Sequence, residues 1–373
     1  MARNRRLQSF WRSLPFHTSS VWLNVLLVAV PVAFALHFAH ASPLTVFLFA
    51  SLAIIPLAGA LGNATEALAV YSGPTVGGIL NATMGNATEL IIAFFALRAG
   101  HVEVVKASLS GSIIGNLLLV FGLSALVGGI GRPKQSFSRT AGSANSTMLF
   151  IAAIGLIMPA VYDLSVFGNL KEHPPILQQM SLWTSAVLML VYLISFIFML
   201  KTHRSVFAPR ENPAEHETPE MTRGAALITL AISTVLIAFL SEMLVGEIDA
   251  VTKTLGLTEL FVGVIVVAII GNAAEHSAAV VMAYRDKMDL ALGIAVGSST
   301  QIALFVAPLL VMLSMVIGHP MSLVFNGFEI AAIVLSVLIV EMIAYDGETN
   351  WFEGAQLLAV YVIMALSFYF VPA

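Results

Sequence analysis

Gly85-Asn-Ala-Thr-Glu89 decides how this chain is read, because it is followed at a fixed distance by Gly111-Ser112 and then recurs. The second copy, Gly271-Asn-Ala-Ala-Glu275, lies 186 residues further on and is followed by Gly297-Ser298. From the first Gly to the Gly-Ser pair the interval is 26 residues in both copies, 85 to 111 and 271 to 297. Each Glu sits inside a run apolar enough to cross a membrane. A carboxylate at that depth costs roughly 2.5–3.5 kcal/mol on insertion scales, so by default it marks an ion or proton site. Two such carboxylates in duplicated segments point to one site built from two halves.

The composition agrees. Of 373 residues, 58% are hydrophobic and 10% charged, and the mean hydropathy is +0.93. Soluble domains carry about 25% charged residues, so the chain reads as a polytopic all-α membrane protein with the lipid bilayer as its surroundings. There is no cysteine, which excludes a disulfide scaffold and Cys-ligated zinc or iron–sulfur centres. A net charge of -4 gives no reason to expect a nucleic acid partner. The oligomeric state is left open, a homo-oligomer included.

Eleven apolar runs have about the length needed to span a hydrocarbon core: 21–39, 44–70, 75–97, 106–128, 146–162, 177–200, 224–246, 258–284, 289–317, 322–343 and 355–371. The first follows Arg3, Arg5, Arg6 and Arg12 and reaches His37 without a clear cleavage site, so it is read as a retained helix. The polar stretch 201–223, with Pro209, Pro213 and Pro219, is read as a cytoplasmic linker. The expected division is therefore 1–40 for the basic segment and first helix, 41–200 and 224–373 for two five-helix repeats, and 201–223 between them.

Orientation follows from the basic residues. A cytoplasmic N-terminus puts 13 Lys and Arg inside and only Arg98, Lys106, Lys171 and Lys253 outside. With eleven crossings the C-terminus lies outside. The motif copies fall on the third and eighth runs, an odd number apart, so they cross in opposite directions. Helices two to six and seven to eleven then form inverted repeats, with the first helix extra, a plan that recurs among secondary transporters.

On a helix Asn86 shares a face with Glu89, and Asn272 with Glu275. Gly85 and Gly271 weaken the helix there and invite a break, whose freed carbonyls are tolerated only where they line a cavity. With the hydroxyls of Ser112 and Ser298, the set offers carboxylate, amide, carbonyl and hydroxyl oxygens. Such hard ligands suit Ca2+. Carboxyl groups taken out of water beside one another also hold protons more readily, so one Ca2+ or two protons would neutralise the pair equally well. If only neutral forms cross between inward- and outward-facing states, exchange is coupled. Ca2+ is then a transported substrate, and no cofactor is called for.

Other intramembrane groups are weaker candidates for proton relay or gating. Glu66 and Glu242, preceded by Thr65 and Ser241, lie near the ends of the first helix of each repeat, where an interfacial position explains them equally well. Glu329 stands near an outer helix end, and Glu341 reads as structural. His276, beside Glu275, could shuttle protons or simply pack. Asn63, Asn81 and Asn86 match the glycosylation pattern but fall in or beside membrane helices, and Asn145 falls on the inner side. His37 and His40, without a carboxylate, make a poor zinc site.

Gly85–Gly122 and Gly271–Pro308, with Leu80-Asn-Ala-Thr-Met-Gly before the first and Phe261-Val-Gly before the second, resemble the paired motifs of the Ca2+/H+ antiporters of the cation/Ca2+ exchanger superfamily. The resemblance runs over roughly 44–372. It implies eleven helices, inverted five-helix repeats, alternating access, and Ca2+ held by the glutamates that match Glu89 and Glu275, with Asn86, Asn272, Ser112 and Ser298 in support. The short N-terminus and mixed-charge linker look like a bacterial member, which implies the inner membrane. The alternative is a Na+/Ca2+ exchanger on the same fold, though its Gly-Thr-Ser and Pro-Glu pattern is missing. An intramembrane hydrolase is disfavoured, since there is no Cys, H-E-x-x-H or G-x-S-x-G. A channel would not need protonatable ligands on two inverted helices.

Overall fold

In hydrocarbon every backbone N–H and C=O must be paired internally, and a helix does this within one segment. The apolar runs fold accordingly in the structure, a computed structural model that describes residues 21–168, 175–202 and 221–372. Arg3, Arg5, Arg6, Arg12, Lys171, Arg204, Arg210 and most of the linker, 203–220, lie outside the described residues. Among the described residues nine helices are long and apolar enough to cross a membrane. They are α2 (Pro43–Gly73), α5 (Val102–Gly129), α6 (Gly142–Phe167), α7 (Ile176–Ile197), α8 (Arg223–Gly246), α10 (Glu259–Tyr284), α11 (Met288–Ile317), α12 (Gly327–Ala344) and α13 (Trp351–Tyr369). A tenth candidate is the pair α3 (Val76–Met84) and α4 (Ala87–Arg98), bent by 44° at Gly85-Asn86. The run at 21–39 is a shorter apolar helix, α1 (Asn24–Phe38), and α9 (Ile248–Leu255) is a short amphipathic one.

Local chemistry sets the ends. Ser42 caps α2, accepting from the Thr45 N–H, with Pro43 in the first turn where its missing N–H costs nothing. Gly73, at φ 78°, separates α2 from α3 in a conformation that favours glycine. Asn326 and Asn350 begin α12 and α13 with capping boxes closed by Glu329 and Glu353.

The chain forms two compact units that cut across the sequence halves, Met1–Phe95 with Glu211–Gly256, and Ala96–Arg210 with Leu257–Ala373. In the first, α8 packs along the Pro43–Met84 stretch, and α1 and α9 lie against the same stretch. Arg223 fastens the start of α8. Its guanidinium donates to the Tyr71 carbonyl at 3.2 Å and lies 4.8 Å over the Tyr71 ring, while the Tyr71 hydroxyl donates to the Met221 carbonyl.

In the second unit α5 is the most enclosed of the spans. It packs on α10 and α13, with α12 against α6 and α11 against α6 and α7. Three π-helical turns interrupt these helices, Gly115–Val120 in α5, Val262–Val267 in α10 and Ile302–Val306 in α11. Such turns are rare and occur frequently at functional sites. At one end of the unit a two-residue β-bridge joins Gln135–Ser136 to Glu348–Thr349. Arg132 there donates to the Tyr284 carbonyl, and Gln135 to the Ala283 carbonyl at 3.0 Å.

One boundary departs from the sequence reading. The apolar run at 322–343 becomes helical only at Gly327. Met321, Leu323, Val324 and Phe325 are buried on non-helical backbone. Apolar composition reports burial, and here burial comes without helix.

Candidate functional site

The first motif copy lies at the break between α3 and α4. Gly85 and Asn86 form the bend, and Glu89 stands in the first turn of α4. Asn86, Thr88 and Glu89 are all buried. The break expected at Gly85 is present. At Gly271 it is not, because Gly271 to Glu275 lie inside uninterrupted α-helix, and the backbone irregularity has moved one turn earlier, to the π-helical segment ending at Val267.

The second copy joins the first Gly-Ser pair inside the second unit. Asn272, fully buried, donates from Nδ2 to Ser112 Oγ at 2.8 Å and to the Ala268 carbonyl at 2.8 Å. Asn116, one turn beyond Ser112 on α5, donates from Nδ2 to Asn272 Oδ1 at 3.3 Å and to Ser298 Oγ at 3.1 Å. A side-chain hydrogen bond from Ser298 reaches Glu275. Ser112, Asn116, Asn272 and Ser298 thus form one buried polar chain leading to a half-buried carboxylate, drawn from α5, α10 and α11. Asn116 was missed in the sequence. Its position four residues after Ser112, hence on the same helical face, was the available signal.

Close backbone packing makes this chain possible. A Cβ on Gly111 would lie 2.1 Å from the Val264 carbonyl oxygen, and one on Gly263 would lie 2.5 Å from the Ala107 side chain. Small residues at a crossing let two membrane helices approach closely, and here they bring Ser112 within reach of Asn272.

The secondary candidates separate. Glu66 is exposed on α2. Glu242 is exposed on α8, in an apolar recess lined by Phe34, His37, Phe38, Phe239 and Met243. His276 is half-buried, next to Glu275 on α10. Glu329, in the first turn of α12, is buried. Its Oε1 accepts from Ser110 at 2.7 Å and its Oε2 from the Asn326 N–H at 3.0 Å. Glu341 is half-buried in α12, and its Oε2 has no hydrogen-bond partner among the described residues.

A sodium/calcium exchanger protein family model matches residues 42–201 and 225–370. The chain belongs to that family. Within it, the chain is 44% identical to a Ca(2+)/H(+) antiporter of Synechocystis sp. over 95% of its length and 99% of the relative's. It is 43% identical to the Ca(2+)/H(+) antiporter ChaA of Bacillus subtilis, over 94% of this chain and 99% of that one. Among solved structures, native YfkE superposes with a TM-score of 0.82 at 40% identity, covering 94% of this chain and all of that one. The family resemblance carried by the motif pair therefore extends over nearly the whole chain. An exchanger family of membrane-spanning helices also sets aside the hydrolase reading.

Proposed function

We propose that this exchanger-family chain moves Ca2+ against protons across a bacterial inner membrane by alternating access, with Glu89 and Glu275 competing for both ions. The observation that carries it is the near-full-length identity to two proteins named Ca(2+)/H(+) antiporters. Asn86, Asn272, Ser112 and Ser298 act as supporting oxygen ligands. The polar chain from Ser112 to Ser298 supports that assignment, because it concentrates hard oxygen donors inside membrane-spanning helices. Glu66, Glu242 and His276 stay secondary, as relay or gating groups.

The architecture proposed with this function is eleven crossings, one extra N-terminal helix and two inverted five-helix repeats. Two features support the duplication. The family model matches two separate stretches, before and after the linker. The π-helical turns of α5 and α11 begin four and five residues after Gly111 and Gly297, at Gly115 and Ile302. The N-terminus is then cytoplasmic and the C-terminus outside. Reporter fusions at the two ends should score on opposite sides, and scoring on one side would break the inverted-repeat scheme.

The exchange itself is tested in proteoliposomes of the purified protein at clamped membrane potential. An acid interior should drive accumulation of radioactive Ca2+, because protons leaving the vesicle exchange for Ca2+ entering. Acid outside should slow uptake, since protons then occupy the carboxylates where Ca2+ must bind. An imposed Na+ gradient should drive none. The family's description includes sodium exchange, so the Na+ arm decides. Accumulation with Na+ alone, and none with protons, would replace this reading with the sodium-coupled one.

A further inference from the structure

Polar side chains leave α5 on two opposite faces. Ser112 and Asn116 join the buried chain with Asn272 and Ser298. Ser110 lies roughly 200° from Ser112 around a helix of 3.6 residues per turn, and it has a different partner. Its Oγ donates to Glu329 Oε1 at 2.7 Å, which ties the middle of α5 to the first turn of α12. Both residues are buried. One turn earlier on the face of Ser110, Lys106 donates from Nζ to the Val324 carbonyl at 3.1 Å, in the non-helical segment that leads into α12.

That segment is itself held from several sides. Met321 N–H donates to Ser314 Oγ at 2.9 Å, Gln178 donates to the Met321 carbonyl at 3.0 Å, and Leu323 N–H donates to Ser181 Oγ at 2.9 Å. Side chains thus satisfy the backbone of buried, non-helical chain. The start of α12 is therefore a fixed support for the back of α5.

Both oxygens of Glu329 are engaged in this joint. Oε1 accepts from Ser110, and Oε2 accepts from the Asn326 N–H in the capping box. Ser110 depends less on its partner. The carbonyls of Lys106 and Ala107 stand 3.2 and 3.0 Å from its Oγ, ordinary acceptors for a serine inside a helix. Removing the serine takes the donor from Oε1, whereas removing the carboxylate leaves the serine bonded to its own helix.

We propose that the hydrogen bond from Ser110 to Glu329 fastens the back of α5 to the capped start of α12 and so holds Ser112 at Asn272 on the front. Both are positioning residues for Ca2+ binding, and Glu329 acts as an acceptor instead of carrying a transported proton. The transport readout, and that alone, rests on the antiporter reading.

A buried acceptor left unsatisfied costs its full desolvation, and more when it is charged. Ser110→Ala should therefore raise the KM for Ca2+ by about tenfold in proteoliposomes, with kcat within about twofold of wild type. A mere loss of folded protein would lower the maximal rate and leave KM unchanged. Glu329→Ala should raise KM as well, and S110A/E329A should stay within about twofold of E329A, because the serine has nothing further to lose. Glu329→Gln keeps an oxygen for Ser110 and should stay within about threefold of wild type. Additive losses in the double variant, or E329Q as impaired as E329A, would overturn the proposal. Should E329A fail to fold, S110A and E329Q decide alone. A raised KM in the first with a near-normal KM in the second upholds the joint, and any other combination overturns it. Thermal unfolding in detergent runs the same cycle without any flux. A wild type that moves no Ca2+ under a proton gradient refutes the antiporter reading, while coupled or additive unfolding shifts still decide the joint.

Discussion

Glu275→Gln and, separately, Glu89→Gln should abolish proton-driven Ca2+ uptake while leaving the protein folded and inserted. Gln keeps the size of the side chain and an oxygen that can accept from Ser298, the neighbour of Glu275 in the structure. It removes the charge and the titratable proton, the two properties the proposed exchange requires. Opposite unit charges 4 Å apart attract by about 4 kcal/mol at an effective dielectric of 20. Losing one carboxylate from a Ca2+ site should therefore weaken binding by roughly three orders of magnitude. Retained folding is expected because a membrane helix tolerates a neutral amide better than a carboxylate. The measurement is uptake in proteoliposomes at matched protein content, with size-exclusion profiles to show that the variants stay folded. Near-normal uptake by either variant would remove that residue from the site.

Much of this was legible in the sequence because hydrocarbon imposes so few solutions. The runs at 258–284 and 289–317 fold as Glu259–Tyr284 and Met288–Ile317, since an apolar stretch of that length has no other way to satisfy its backbone. The bend at Gly85-Asn86 was likewise foreshadowed by its glycine. What escaped depends on tertiary partners. Met321–Phe325 are as apolar as a helix, yet their N–H and C=O groups are met by Ser181, Ser314, Gln178 and Lys106 from distant parts of the chain. Nothing local to the segment reveals that. The π-helical turns are equally silent, because an inserted residue changes the hydrogen-bond ladder without changing composition. Glu329 was read as a group near a helix end. Its capping role was written in Asn326-Gly-Phe-Glu329, but its bond to Ser110 was not.

Gly111→Ala is expected to be at least as damaging as the loss of a charge, although it adds one methyl group and touches no ligand. A Cβ at residue 111 would stand 2.1 Å from the Val264 carbonyl oxygen and 2.6 Å from the Val264 Cα and carbonyl carbon. These are backbone atoms of the π-helical turn in α10, so no side-chain rotation relieves the contact. Overpacking in a close-packed core costs typically 1–3 kcal/mol and occasionally more, and here α5 and α10 must separate to accept the methyl. Their separation pulls Ser112 away from Asn272, a bond now 2.8 Å long, and with it the start of the polar chain through Asn116 to Ser298. Gly297 provides the internal control. It is the matching residue of the second Gly-Ser pair, and a Cβ there would meet nothing within 4 Å. The expected result is a lowered unfolding temperature and little or no Ca2+ uptake for G111A, with a much smaller change in both for G297A. Equal effects of the two substitutions would show that the contact between α5 and α10 does not set the geometry of the site.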